Sequence, residues 1–358
     1  MFKKPSLIAI SVLLVFAIVF SAFALPFASS NGEEIQFSLK DADRNYYCGL
    51  VFQKLVDSFP RVLILDEGGE REVVEYPQDY AGAYIDESDN LHIVLTKDAN
   101  VATKDSYFKI MGYDDVVVFD VADFSLSFLR EVQRTLDGVM QEFSIEFTGV
   151  DHVTNRLDVG MLDSAKSKSV IEFLKTKFND FDDKCIIFKG SVGIRFSAAD
   201  TSSNALIGSN CSLSTGTGTL GFNAWMPSTG QFGVVTAAHF ATSGTTIYNA
   251  LGTLIGSASV RQCSGTVDAA FIPLPAGITE SYSISGYTPP DDFIYGYFPN
   301  AYDLTGMNMF KKGSSSGLTY GQVTYDSISV TVGDITFTDQ VKLTNIQLPG
   351  DSGGPVFW

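Results

Sequence analysis

The chain has 358 residues, 45% hydrophobic and 13% aromatic, with a formal net charge of −17. This is too apolar for a disordered chain and long enough for two or three packed domains. No basic stripe runs along it, which excludes the electrostatic footprint of nucleic-acid binding. The N-terminus reads as an export signal. Lys3-Lys4 is a basic start, Leu7 to Leu25 is almost wholly apolar, and Ala22-Phe23-Ala24 is a small-x-small cleavage site. Cleavage near residue 24 is expected, giving a secreted product. The alternative is an uncleaved anchor, because the apolar run is long enough to span a bilayer.

Residues 31–189 read as α plus β. Val116 to Phe119 reads as a buried strand and Leu157 to Leu162 as another. One helix is expected through Phe128, Leu129, Val132, Leu136, Val139, Met140 and Phe143, and a second through Val170, Ile171, Leu174 and Phe178, followed by the apolar run Cys185 to Phe188. His92 and His152 fall here and read as structural or exposed. Composition then changes. The stretch 31–190 holds 31 acidic and 17 basic residues, whereas 191–358 holds 10 acidic and 5 basic and is rich in Gly, Ser and Thr. A boundary near 190 follows. Residues 190–358 read as all-β. Ile328 to Val332 alternates strictly, Gly333-Asp334 makes a two-residue turn, and Ile335 to Thr338 alternates again, which is a hairpin signal. Short strands with Gly/Ser turns argue for barrels or a sandwich.

The chemistry gathers at two strings, Val235-Thr236-Ala237-Ala238-His239 and Gly350-Asp351-Ser352-Gly353-Gly354-Pro355. A serine that attacks an acyl carbon needs a base, an acid that orients the base, and donors for the oxyanion. Of three histidines, only His239 lies in the C-terminal half, so it is the candidate base for Ser352. Asp268 lies in the apolar run Val267-Asp268-Ala269-Ala270-Phe271-Ile272, where a carboxylate is costly to bury without a partner. It is the candidate acid. Asp291, Asp292 and Asp303 sit in loop-like sequence and read as solvated surface. The N–H groups of Gly350 and Ser352 are the candidate oxyanion donors, since Pro349 has none.

These residues and their order, His then Asp then Ser, resemble the chymotrypsin-like serine peptidases, and in particular the secreted bacterial alpha-lytic protease and streptogrisin precursors. The resemblance covers most of 205–358, and more weakly Tyr80 to Leu95, which looks like the large pro-regions of those enzymes. It implies a signal peptide at 1–24, an α+β pro-region at 25–189 and a trypsin-like catalytic domain at 190–358. That domain would hold two six-stranded β-barrels, the second incomplete. It further implies a monomeric serine endopeptidase acting on protein or peptide substrates, with its own pro-region as folding assistant and inhibitor and with no cofactor or metal. Segment Met309 to Gly321 resembles a Cys-basic-x-Gly segment whose basic residue neutralises the acid beside the serine. Lys311 would then serve Asp351. Ile346 falls where relatives form the floor of the specificity pocket, and an apolar floor argues against basic substrate residues.

Departures from the family bear on these expectations. The family bridges a cysteine upstream of the histidine to one just after it, but Phe240 follows His239. The available pair in that half is Cys211–Cys263. A second bridge is replaced at both ends, by Phe310 and Tyr320. The sequence stops at Trp358, six residues after Ser352, where the family continues, so a truncated catalytic domain is expected. Two other readings stay open: a secreted protease-like binding protein without turnover, and an esterase. The esterase reading lacks the usual Gly-x-Ser-x-Gly elbow.

Overall fold

The computed structural model describes residues 44–66, 69–191, 210–213, 216–249, 252–276, 304–344 and 347–357. The export signal, the segment 192–209 and Ile346 lie outside them. The N-terminal part runs α1 (Arg44–Val56), β1 (Arg61–Asp66), β2 (Gly69–Val74), β3 (Tyr80–Ile85), β4 (Leu91–Thr96), α2 (Val101–Ile110), β5 (Val117–Ala122), α3 (Leu126–Asp137), α4 (Met140–Phe143), β6 (Ile145–Asp151), β7 (Arg156–Met161), α5 (Ser167–Lys177) and β8 (Ile186–Gly190). The C-terminal part runs β9 (Asn210–Leu213), β10 (Gly216–Thr219), β11 (Phe222–Met226), β12 (Gln231–Thr236), β13 (Thr246–Asn249), β14 (Leu254–Ser257), β15 (Val260–Ser264), β16 (Val267–Pro273), β17 (Asn308–Gly313), β18 (Gly317–Val332), β19 (Ile335–Leu343) and β20 (Val356–Phe357).

The α+β and then all-β order matches the expectation, and each expected strand forms within a few residues. The single helix expected over 128–143 is two helices. The chain breaks at Gly138 and Val139, and Ser144 ends α4 at φ 58°. Glycine is a poor helix former, and breaking there still buries Leu129, Val132, Leu136 and Met140 in one core. The hairpin forms as read: Val332 pairs with Ile335 around Gly333, whose φ is +61°.

Among the described residues the C-terminal strands do not close into barrels. They form two four-stranded sheets, ordered β10-β9-β13-β14 and β11-β12-β16-β15. These share a small core of Cys211, Leu220, Val234, Ile247, Ile255 and Ile272. β17, β18 and β20 instead enter a seven-stranded sheet ordered β20-β17-β18-β6-β7-β8, with β19 also on β18. That sheet crosses the composition boundary near 190. Ile328, Ser329 and Val330 of β18 pair with Gly149, Thr148 and Phe147 of β6. Leu304, Met307, Met309 and Val323 are buried in the core of the N-terminal helices. Phe310 and Tyr320 lie directly opposite across β17 and β18, with ring centroids 5.6 Å apart. Aromatic contact thus joins the two positions where a bridge is missing.

Candidate active site

Strand pairing brings the three candidates together. β12 pairs antiparallel with β16, Thr236 opposite Ala270. His239, just past the end of β12, therefore meets Asp268 at the start of β16. Asp268 Oδ1 accepts the His239 backbone N–H at 2.9 Å, and Oδ2 is hydrogen-bonded to His239 Nδ1. On the other side of the ring, His239 Nε2 lies 2.9 Å from Ser352 Oγ. Burial pushes the Asp268 carboxyl up, but the His239 ring and the His239 and Ala238 N–H groups outweigh it and hold the pKa below the ordinary value. Asp268 is thus ionised at neutral pH. An ionised carboxylate only accepts, which places the shared proton on His239 Nδ1 and turns Nε2 toward Ser352 Oγ.

The serine loop, between β19 and β20, is built around Asp351. This side chain is almost fully buried, and so is Lys311 on β17. β20 pairs with β17, Val356 opposite Lys311, which carries the loop onto the lysine. Asp351 accepts from Lys311 Nζ at 2.6 Å, Leu348 N at 2.7 Å, and Ser315 N and Ser316 N at 3.0 Å each. Burial raises its pKa, but the bonds from Lys311, Ser316 and Leu348 win and bring it down to about 2. Gly313 is required here, since a Cβ would come within 2.1 Å of Asp351 Oδ1. Gly350 has φ +100°, in the region that favours glycine. Among the described residues, no hydrogen bond is donated by Gly350 N or Ser352 N.

Several supporting residues are invisible in the sequence. Thr219 is fully buried. It donates Oγ1 to Gly350 O at 2.8 Å and N to Ser352 O at 2.8 Å. Ser314 Oγ also reaches Gly350 O, at 2.9 Å. Arg261 Nε donates to Ala238 O at 2.8 Å. A Thr in a Gly/Thr run and a serine in a serine run carry no signal of such roles.

The expected Cys211–Cys263 bridge is absent, and all four cysteines are free thiols. Cys211 sits on β9 in one sheet, buried in the shared core. Cys263 sits on β15 in the other sheet, opposite Asp268. Ile346, Asp291, Asp292 and Asp303 lie outside the described residues. Among the described residues, no cluster of three His, Cys, Asp or Glu side chains is arranged to hold a metal ion, and no helix is long and apolar enough to cross a membrane.

Comparison with known proteins gives two kinds of match. Residues 31–121 match the family described as "Pro-like N-terminal domain". Among solved structures, the chain is similar to bacterial serine proteases of the chymotrypsin-like class. Thermobifida fusca protease A is 21% identical, with 43% of this chain and 77% of that one covered and a TM-score of 0.37. Cellulomonas bogoriensis chymotrypsin is 23% identical, with 42% and 76% covered and a TM-score of 0.35. A glutamic acid specific serine protease is 23% identical, with 43% and 80% covered and a TM-score of 0.37. No curated protein matches.

Proposed function

We propose that the chain is the precursor of a secreted serine endopeptidase. One observation carries this reading: the unbroken series Ser352 Oγ, His239 Nε2, His239 Nδ1, Asp268 Oδ2. Ser352 attacks the scissile carbonyl while His239 takes its proton. The oxyanion that forms is met by the N–H groups of Gly350 and Ser352. His239 returns the proton to the leaving amine, and water admitted by the same base resolves the acyl-enzyme. Asp268 holds the ring and stabilises its cationic form. The test is labelling of the full chain by a fluorophosphonate probe. Labelling that Ser352→Ala abolishes supports the reading. A wild type that takes no label supports the alternative, a protease-like binding protein.

The same reading assigns residues 25 to about 189 as a pro-region that assists folding and inhibits until it is cut off near 190. The seam between β6 and β18 supports it. Arg130 of α3, 8% exposed, donates to Asp326 Oδ1 and Ser327 O at 2.8 Å each. His152 Nε2 lies 3.0 Å from the same Asp326 oxygen. Burial pushes the Asp326 carboxyl up, yet Arg130 and His152 hold it well below the usual carboxylate range. Asp158 of β7 accepts from Tyr325. Three consecutive residues of β18, Tyr325-Asp326-Ser327, are therefore held by the N-terminal part. The experiment is refolding of the 190–358 segment with and without separately expressed 25–189. Equal refolding, together with no inhibition by the added segment, overturns the assignment.

A further inference from the structure

We propose that Thr219 and Ser314 are positioning residues for the oxyanion site: their hydroxyls together hold the Gly350 carbonyl, and with it the Gly350–Ser352 backbone, in the orientation that turns the Gly350 and Ser352 N–H groups to the substrate. The inference rests on the acyl-transfer reading above and adds two residues to it. The serine loop passes through left-handed backbone at Gly350 and Gly353, with φ +100° and +88°. Glycine visits many other conformations as readily, so these two residues do not by themselves keep the loop in its bonded form.

A peptide unit is planar and rigid, so holding its oxygen restrains its N–H as well. Three successive units are held here. The unit from Gly350 to Asp351 is gripped at both edges. Its oxygen accepts from Thr219 Oγ1 at 2.8 Å and Ser314 Oγ at 2.9 Å, and its N–H donates to Leu348 O at 3.1 Å. The unit from Asp351 to Ser352 accepts from Gly354 N at 2.9 Å, and the unit from Ser352 to Gly353 accepts from Thr219 N at 2.8 Å. The middle unit carries the Ser352 N–H, and the first adjoins the Gly350 N–H across a single Cα. The bonds with Leu348 and Gly354 lie within the loop, whereas those from Thr219 and Ser314 tie it to other strands.

The two residues form a relay. Ser314 N donates to Thr219 Oγ1 at 3.0 Å, and the same hydroxyl donates to Gly350 O. A hydroxyl that accepts one bond donates the next more strongly, and the more so away from water. Thr219 is fully buried. Ser314 Oγ also lies 3.4 Å from Gly218 O, long beside its bond to Gly350 O. Thr219 is in turn fixed from the strand of the base. Thr236 Oγ1, three residues before His239, donates to Thr219 O at 2.7 Å. A Cβ on Gly353 would come within 2.4 Å of both Thr219 O and Thr236 Oγ1, so the loop is pressed directly onto this pair. One threonine thus links the string that carries the base to the string that carries the nucleophile.

The experiment compares the full-length wild type with T219V, which keeps the shape and loses the hydroxyl, with T219S, which keeps the hydroxyl, with S314A, and with T219V/S314A. The readout is the rate of fluorophosphonate labelling of Ser352 from pH 5 to 9, with melting temperature to monitor folding. The phosphonyl oxygen takes the place of the oxyanion, so the plateau rate reads the oxyanion site, while the acid limb reads His239. T219V is expected to lower the plateau about five- to tenfold, short of the roughly 10²–10³ that removal of an oxyanion donor itself costs. S314A should lower it about two- to threefold. The double variant should lose more than the product of the two, because either hydroxyl alone still holds the carbonyl. T219S should stay within about twofold of wild type. The acid limb should not move in any of them, since His239 and Asp268 keep their bonds. T219V and wild-type profiles that superimpose overturn the proposal. A folded T219S as slow as T219V also overturns it, because the methyl packing and not the hydroxyl would then matter. A shifted acid limb overturns it by locating the damage at the base. Should T219V not fold, S314A decides, and labelling at the wild-type rate overturns the proposal. A wild type that takes no label removes the acyl-transfer reading and this proposal with it, whereas a labelled wild type beside an equally labelled T219V removes this proposal alone.

Discussion

The two β-rich stretches that meet at the site are built differently. Residues 210–276 pack around their own small core of ten buried side chains, from Cys211 to Ile272. Residues 304–357 have none of their own among the described residues. Leu304, Met307, Met309 and Val323 belong to the core of the N-terminal helices. Their backbone is tied down by the same part: Asn45 bonds Gly306 O and Asn308 N, and Ile85 N donates to Thr305 O. His239 and Asp268 come from the self-contained stretch, and Ser352 from the dependent one. Ser352 and His239 are therefore stabilised by different parts of the sequence, and a perturbation can reach one without the other.

The sharpest way to break the comparison is at the junction itself. Ser352→Ala should remove peptide hydrolysis, by a factor on the order of a millionfold, while thermal unfolding stays unchanged. A variant that retains a few per cent of activity overturns the role of Ser352. Asp268→Asn acts within the self-contained stretch. It should cost about 10⁴ in kcat near neutral pH through the wrong ring tautomer, again with the fold intact. Retained activity in the asparagine variant would mean that another acid orients His239.

The next perturbation tests dependence. Arg130→Ala strands Asp326 as a buried charge without its main partner, a loss of about 3–5 kcal/mol. Amide exchange should accelerate in 304–343 and remain as it was in 216–272. Uniform acceleration would mean that the two stretches share one fate. The smallest expected effect comes from Asp137, at the end of α3, which accepts from Thr148 on β6. Burial raises its pKa to about 6, against smaller opposing pulls. An acid raised in the folded state stabilises it only while protonated. This contribution is complete below about pH 4 and is lost as pH rises through about 6. Asp137→Asn should therefore flatten the acid side of the stability profile and raise the midpoint at pH 7. A profile identical to wild type would show that Asp137 ionises without consequence.

Much of this arrangement was legible in the sequence because local pattern and chemistry agreed. Alternation around Gly333 gave the β18–β19 hairpin, and two strings with one apolar-embedded aspartate gave His239, Asp268 and Ser352, which lie in hydrogen-bonding series. Lys311 and Asp351 were paired through resemblance and meet in a buried ion pair. What stayed hidden is non-local. α1 and α2 have weak amphipathic patterns and take their place from tertiary packing. Nothing in Tyr325-Asp326-Ser327 or in Arg130 announces a partner nearly 200 positions away. Thr219 matters only because β10 is brought to a serine loop about 130 residues further along the chain. The Cys211–Cys263 bridge expected from cysteine position is not formed in this structure, where Cys211 lies on β9, Cys263 on β15 and both pack against the same small core.

β18 has a consequence for solubility. At sixteen residues it is long for a strand, and at Ile328, Ser329 and Val330 its free side is covered by β6 alone. Without β6, that stretch would be an open edge carrying Ile328 and Val330, with unpaired N–H and C=O groups. Such an edge is a template for another strand. The pairing of β6 with β18 thus also shields that edge from self-association.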